Sequence, residues 1–332
     1  MGIFLLPGPD SVNKRIFAAG LGTTNFFDKK YEDKIFAVVL RDTPLKVYPS
    51  YSMRPSPEGF DLNCETLCRC CDIVILLSHV PVHGFFRVHT KNSTGFIDEE
   101  QIAIIPRETA LKLLSGRNIL CVTDKFVFTN PSPVASVSKI LLSFGTIVPL
   151  APSSHEKGSL GNLNHTILLP SKGTDGSAVW ERAYIPKSVA VHEGYLRFTR
   201  KNLLKLSLHM RGMPYDWGES FGGCDCSSLI CAAFSLCGIT LPRNSDKIAQ
   251  ISSKAVIITS PVKQLGRANP GDIIAGDGHV MLYYGKHRGD HYVFHSFYGT
   301  HGVTDITTIS EPTSDGTPLV ENFRKIIPLN FI

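Results

Sequence analysis

From residue 34 onward the chain alternates short apolar runs with turn residues. Runs at 35–40, 43–49, 73–77, 84–89, 95–97 and 102–105 have the length and spacing of short strands, and the stretch between 49 and 73 opens with a loop carrying Pro55, Pro57 and Gly59. A set of this kind predicts a small β-barrel over 34–110, with 1–33 as a poorly patterned arm before it. A second set follows at 119–123, 126–128, 140–142, 146–150, 166–170 and 182–186, interrupted by a polar loop at 151–165, and predicts a second small barrel over 111–197. Helical periodicity first appears after Thr199, where Leu203, Leu206 and Met210 recur at helical spacing and Gly212 and Pro214 end the run. A helix from 226 to about 237 follows, apolar nearly all round, which marks it as buried. A short helix at 245–251 leads to strands at 272–275, 279–284 and 291–297. Helices followed by an antiparallel meander make 198–332 an α+β domain.

Composition narrows the picture. The 332 residues are 43% hydrophobic and 19% charged, an ordinary globular balance, and 28 Gly with 21 Pro favour short strands and turns. A net charge of +5 suits an anionic surface but is too small for a nucleic-acid binder. No apolar run is long enough for a membrane span. The start has neither a basic segment nor an apolar stretch of signal-peptide length, so a cytoplasmic protein is expected, or a periplasmic or secreted one if the start has been trimmed. Nine cysteines, an odd number, point to reduced thiols. Cys64, Cys68, Cys70 and Cys71 have no paired knuckle spacing, so they read as small buried groups on a strand and its turn, with no metal and no cofactor expected.

The candidate chemistry lies between Pro214 and Leu236. A Gly-rich loop through Gly222 and Gly223 leads to Asp225, Cys226 and Ser227 at the start of the buried helix. A helix N-terminus favours an anion, so Cys226 is the candidate nucleophile, as a thiolate. His279 opens a strand after Gly276-Asp277-Gly278, and His295 falls sixteen residues later in the next strand. Hairpin pairing would set them side by side, His279 as general base and His295 fixing its tautomer.

These residues and their neighbours resemble the NlpC/p60 cysteine peptidases: Pro-Tyr-x-Trp-Gly at 214–218, Asp-Cys-Ser at 225–227, Leu-Pro-Arg-Asn-Ser at 241–245, Pro-Gly-Asp at 270–272 and Gly-His-Val at 278–280. The run from 185 to 202 resembles the junction of a subgroup in which two bacterial SH3-like (SH3b) domains precede the catalytic domain. The resemblance implies a papain-like fold and a peptidase cutting between γ-D-glutamate and the diamino acid (diaminopimelate or lysine) of peptidoglycan stem peptides. It implies Cys226 as nucleophile, His279 as base and His295 as the orienting third residue. In that subgroup the first barrel closes one side of the cleft and a free L-Ala amine is preferred. Tyr215, Asp225 and Ser227 match substrate-contacting positions, and Glu58 or Glu65 would supply an acidic partner for the amine. The chain departs from the pattern at Glu219, where a second glycine is usual, and at the edge of the first barrel, which reads Phe85-Phe86 and Ser93-Thr94-Gly95-Phe96. Two other readings use the same residues: a cell-wall-binding protein with little hydrolysis, and an amidase or acyltransferase on the same core.

Overall fold

The computed structural model describes residues 24–152, 159–251, 255–299, 301–313 and 315–329; most of the arm and the tip of the 151–165 loop lie outside them. The described residues fall into two compact units, 24–196 and 197–329.

In the first unit, strands β1 (Phe36–Val39), β2 (Thr43–Lys46), β3 (Cys64–Cys68), β4 (Ile73–Leu76), β5 (Phe85–His89), β6 (Thr94–Asp98) and β7 (Ile102–Ile105) form one sheet in the order β3-β2-β6-β5-β4-β1-β7. All four residues of β1 are buried because both faces of the sheet are covered. Phe36 and Val38 pack with Ile73, Ile75 and Ala103, while Ala37 and Val39 pack with Leu45, Val74 and Val88.

Helix α1 (Arg107–Ser115) crosses residue 110, in a stretch where the sequence pattern shows no helix. Its residue Ala110, with Leu113 and Leu114, joins the Phe36 cluster. Tertiary packing makes this helix, since Pro106 at its N-cap brings no side-chain hydrogen bond. Then come β8 (Ile119–Val122), β9 (Phe126–Phe128), β10 (Leu141–Ser143), β11 (Ile147–Pro149), α2 (Ser159–Leu163), β12 (Asn164–Lys172), β13 (Ala178–Pro186) and β14 (Val191–Glu193). They pair as β10-β9, β11-β8-β14 and β12-β13 around a core of Leu120, Val122, Leu142, Val148, Ile167 and Ile185.

The turn between β3 and β4 reaches into that core. Cys71 has φ 68°, and Cys70 packs among Leu120, Val122 and Val127. Asp42 accepts the amides of Cys70 (2.9 Å) and Ser143 (3.1 Å), and Arg69 Nε donates to the Phe144 carbonyl at 2.9 Å.

The second unit holds α3 (Arg200–Leu208), α4 (Cys226–Ser235), α5 (Ser245–Ile248), β15 (Val256–Ile257), α6 (Pro261–Leu265), β16 (Ile273–Gly276), β17 (Val280–His287), β18 (Asp290–Ser296), β19 (Thr304–Thr308) and β20 (Phe323–Ile327). Thr199 caps α3, its hydroxyl accepting the Asn202 amide at 3.1 Å. Every residue of α4 is buried, and the helix packs on α3, β17 and β18. The sheet runs β15-β20-β16-β17-β18-β19, all antiparallel. Its three central strands coincide with the expected meander. The flanking strands β19 and β20 were not legible, because Thr304–Thr308 is polar and β20 is recruited from far along the chain.

Candidate active site

The loop before α4 is bent by residues that tolerate left-handed backbone. Gly218 (φ 67°) and Glu219 (φ 63°) lie in succession, the second a rare conformation for a side chain with a Cβ. Gly223 is required for space: a Cβ there would sit 2.4 Å from Asp216 Cβ and 2.5 Å from the Pro214 carbonyl. Asp216 ties the bend by accepting the amides of Phe221 and Gly223 (3.1 Å for the latter).

The bend delivers Asp225 to the N-cap of α4 and Cys226 to its first position. Asp225 Oδ1 accepts the Ser228 amide at 2.8 Å, and Ser228 Oγ accepts the Asp225 amide at 2.9 Å, a reciprocal capping box. The carboxylate is also paired with Arg243, which donates through Nη1 and Nη2 to its two oxygens and through Nη1 to Ser227 Oγ at 2.7 Å. All three groups are buried. Burial alone would raise the carboxyl pKa; the Arg243 guanidinium and the capping bonds outweigh it and hold it below the ordinary value. Arg243 therefore fixes the end of the helix that carries Cys226. It belongs to the Leu-Pro-Arg-Asn-Ser run, which was noticed without a role for the arginine.

Cys226 and His279 line one cleft of about 280 Å³ together with Tyr215, Asp277, Phe297, Tyr298 and Asp315. The backbone amides of Ser227 and of Val280, the latter adjacent to His279, act to lower the pKa of the Cys226 thiol. Burial pushes its thiol up to about 12, the Asp225 charge adds to this, and the two amides only partly offset it. The expectation of a resting thiolate is thereby corrected: at a fully buried helix start beside a carboxylate, desolvation outweighs the helix terminus. Burial also pushes the His279 imidazole down to about 4, with Asp225 acting weakly the other way. Burial thus favours the uncharged form of both side chains.

His279 Nε2 lies 2.8 Å from His295 Nδ1, so Nδ1 is the ring nitrogen of His279 not used in this contact. His295 is buried, and burial together with His279 pushes it well below the ordinary histidine value. Its Nε2 lies 2.9 Å from Thr307 Oγ1 in β19. Phe297 stacks on His295 (centroids 5.2 Å, 13° between planes) and also contacts His279 (5.4 Å), so an apolar ring covers both imidazoles.

Tyr215 stands in the cleft with its ring 5.9 Å from Tyr298, its hydroxyl pushed up by burial. Asp225 and Ser227 are not cleft-lining groups but members of the buried Arg243 network. Glu58 and Glu65 belong to the 24–196 unit: Glu58 is exposed and accepts Ser56 Oγ at 2.7 Å, and Glu65 accepts Ser93 Oγ at 2.8 Å. Sequence reasoning did not single out Thr307, Phe297, Asp277 or Asp315. Only Asp277 had a local signal, its place in the turn before His279. No group of three or more His, Cys, Asp or Glu side chains among the described residues is arranged to hold a metal ion.

Residues 212–315 match the NlpC/P60 family. Two solved structures share the fold. An NlpC/P60 endopeptidase from Photobacterium damselae subsp. piscicida aligns at TM-score 0.68 and 18% identity, over 83% of this chain and 66% of its own. An NlpC/P60 family protein from Bacillus cereus ATCC 10987 aligns at TM-score 0.64 and 18% identity, over 89% of this chain and 99% of its own. At that identity the likeness is one of fold. No curated protein matches the chain.

Proposed function

We propose, with residues 212–315 as an NlpC/P60 domain, that the protein is a cysteine peptidase of peptidoglycan stem peptides, cutting between γ-D-glutamate and the following diamino acid. The observation that carries this reading is the cleft in which Cys226 and His279 meet, with His279 held by His295. As the Cys226 sulfur attacks the scissile carbonyl, its proton passes to His279 Nδ1. The same imidazolium then protonates the leaving amine, and water attacks the thioester by the reverse route. The amides at the start of α4 face the oxyanion as it develops.

The charge of Asp315 in the cleft favours a cationic residue after the scissile bond. Asp277 and Asp315 both line it; Asp277 is paired with Arg324, whereas Asp315 is held ionised, at about 2, by hydrogen bonds from Thr313 and Thr317. A diamino acid brings an ammonium to that place. The same reading takes peptides whose L-Ala amine is free.

The test uses L-Ala-γ-D-Glu-L-Lys and its diaminopimelate counterpart, each with the amine free or acetylated, with products identified by mass spectrometry. The expected result is release of L-Ala-γ-D-Glu from the free-amine peptides by the native protein and none by Cys226→Ala. Cleavage at another bond, or equal cleavage by the variant, would overturn the reading.

A further inference from the structure

The two histidines account for three of the four polar atoms in the line of hydrogen bonds behind Cys226; the fourth belongs to Thr307. We infer that Thr307 is a positioning residue for the reaction: by accepting the Nε2 proton of His295 it leaves His295 Nδ1 bare, and so sets the tautomer in which His279 can act as base.

The sheet brings these groups together. Leu282 pairs with Phe294 and Tyr283 with Val293, so continuing that register sets residue 281 opposite 295, with 279 diagonal to it. On the other side His295 pairs with Asp305 and Val293 with Thr307, which makes Thr307 the diagonal neighbour of His295 on the same face. Diagonal side chains on one face are within reach of each other, and the measured separations, 2.8 and 2.9 Å, are those of hydrogen bonds.

The chemistry then follows from proton counting. To take a proton from sulfur at Nδ1, a neutral His279 must carry its own proton on Nε2. That proton needs an acceptor, and His295 Nδ1 serves only if the His295 proton is on Nε2. The Nε2 proton in turn needs an acceptor, and Thr307 Oγ1 is 2.9 Å away. With His295 in the other tautomer, Nδ1–H would face His279 Nε2 and force the His279 proton onto the nitrogen meant for the thiol. A hydroxyl can donate as well as accept, so the selection is not made by Thr307 alone. His279 adds to it, because only the forward direction gives the thiol an acceptor.

The charged and titratable groups around this line are few. Asp305, opposite His295, is engaged by Arg211 Nε at 2.6 Å; Asp225 acts on His279 from the start of α4; Cys226, on the same helix, lines the cleft with His279. Tyr283, on the same strand face, is occupied by His291 at 2.7 Å. None of them replaces Thr307 as an acceptor for His295 Nε2.

This inference rests on the peptidase reading for its kinetic arm but not for its spectroscopic one. In protein with ¹⁵N-labelled histidine and no substrate, His295 is expected to show a bare Nδ1 and a protonated Nε2, and Thr307→Val to show both tautomers; Thr307→Ser should restore the native pattern. On the stem peptide, Thr307→Val should lower kcat about tenfold with KM unchanged, the size of one lost hydrogen bond, and Thr307→Ser should recover most of it. A native His295 protonated on Nδ1, or a Thr307→Val protein with native tautomer and native kcat, would overturn the assignment. Should the valine variant fail to fold, the native spectrum alone decides. An inactive native protein with the expected tautomer would count against the peptidase reading and leave this one standing.

Discussion

Two cysteine-bearing turns, one in each unit, make an instructive pair. Cys70 and Cys226 are both buried thiols with raised pKa, both lie at a tightly bent backbone, and both lie near a carboxylate, half-buried Asp42 or buried Asp225, with an arginine near it. Yet Cys70 donates to the Leu40 carbonyl and packs among Leu120 and Val122, whereas Cys226 borders a cleft and an imidazole. Thiol acidity does not separate the two sites. Access and an adjacent base do. The carboxylates differ too: Asp42 is raised by burial that its backbone partners and Arg69 do not offset, while Asp225 is lowered by a direct guanidinium pair.

The contrast can be tested from its largest consequence downward. Cys226→Ala should abolish turnover and Cys70→Ala should leave kcat/KM within about twofold while lowering the melting temperature, since it opens a small void in a packed core. Loss of activity in the second, with the fold intact by circular dichroism, would erase the distinction. Next, Arg243→Ala should cost about 3–5 kcal/mol in a urea titration, because it strands a buried carboxylate. Arg69→Ala should cost about 1–3 kcal/mol, since Arg69 Nε donates to a backbone carbonyl. Equal losses would remove the difference between the two carboxylates.

Acidity gives a third test. His279 is pushed down to about 4, so unfolded chain takes up a proton there as pH falls below about 6.5 while the native state does not. Stability should therefore decline between about pH 6.5 and 4, whereas kcat/KM, corrected for folded fraction, should hold until the imidazole protonates near 4. An acid limb at 6.5 would show an ordinary histidine and contradict the burial argument. The smallest effect is at the mouth of the cleft. Asp315→Asn should raise KM for a lysine-containing peptide about threefold with kcat held, and leave KM for its ε-acetylated form unchanged.

Much of this molecule was visible in its residues. Alternation and turn spacing located most strands, and the Asp-Cys-Ser after a glycine loop singled out the cysteine that borders the cleft. What stayed hidden depended on distant pairing. Thr307 is one threonine in a polar strand until the β18–β19 register sets it against His295. Helix α1 was missed because its apolar residues gain their meaning only against Phe36 and Val38. The thiolate was expected from a local rule, the helix terminus, and the burial that overrides it is a property of the folded unit.

The burial that pushes the Cys226 thiol up bears on how readily its sulfur is oxidised. Peroxide oxidises thiolates far faster than thiols, so burial that favours the protonated sulfur slows its conversion to sulfenic and sulfinic acids. Oxidative inactivation should accordingly be faster during turnover than at rest, and an electrophilic inhibitor would need to resemble the peptide before its warhead found a reactive sulfur.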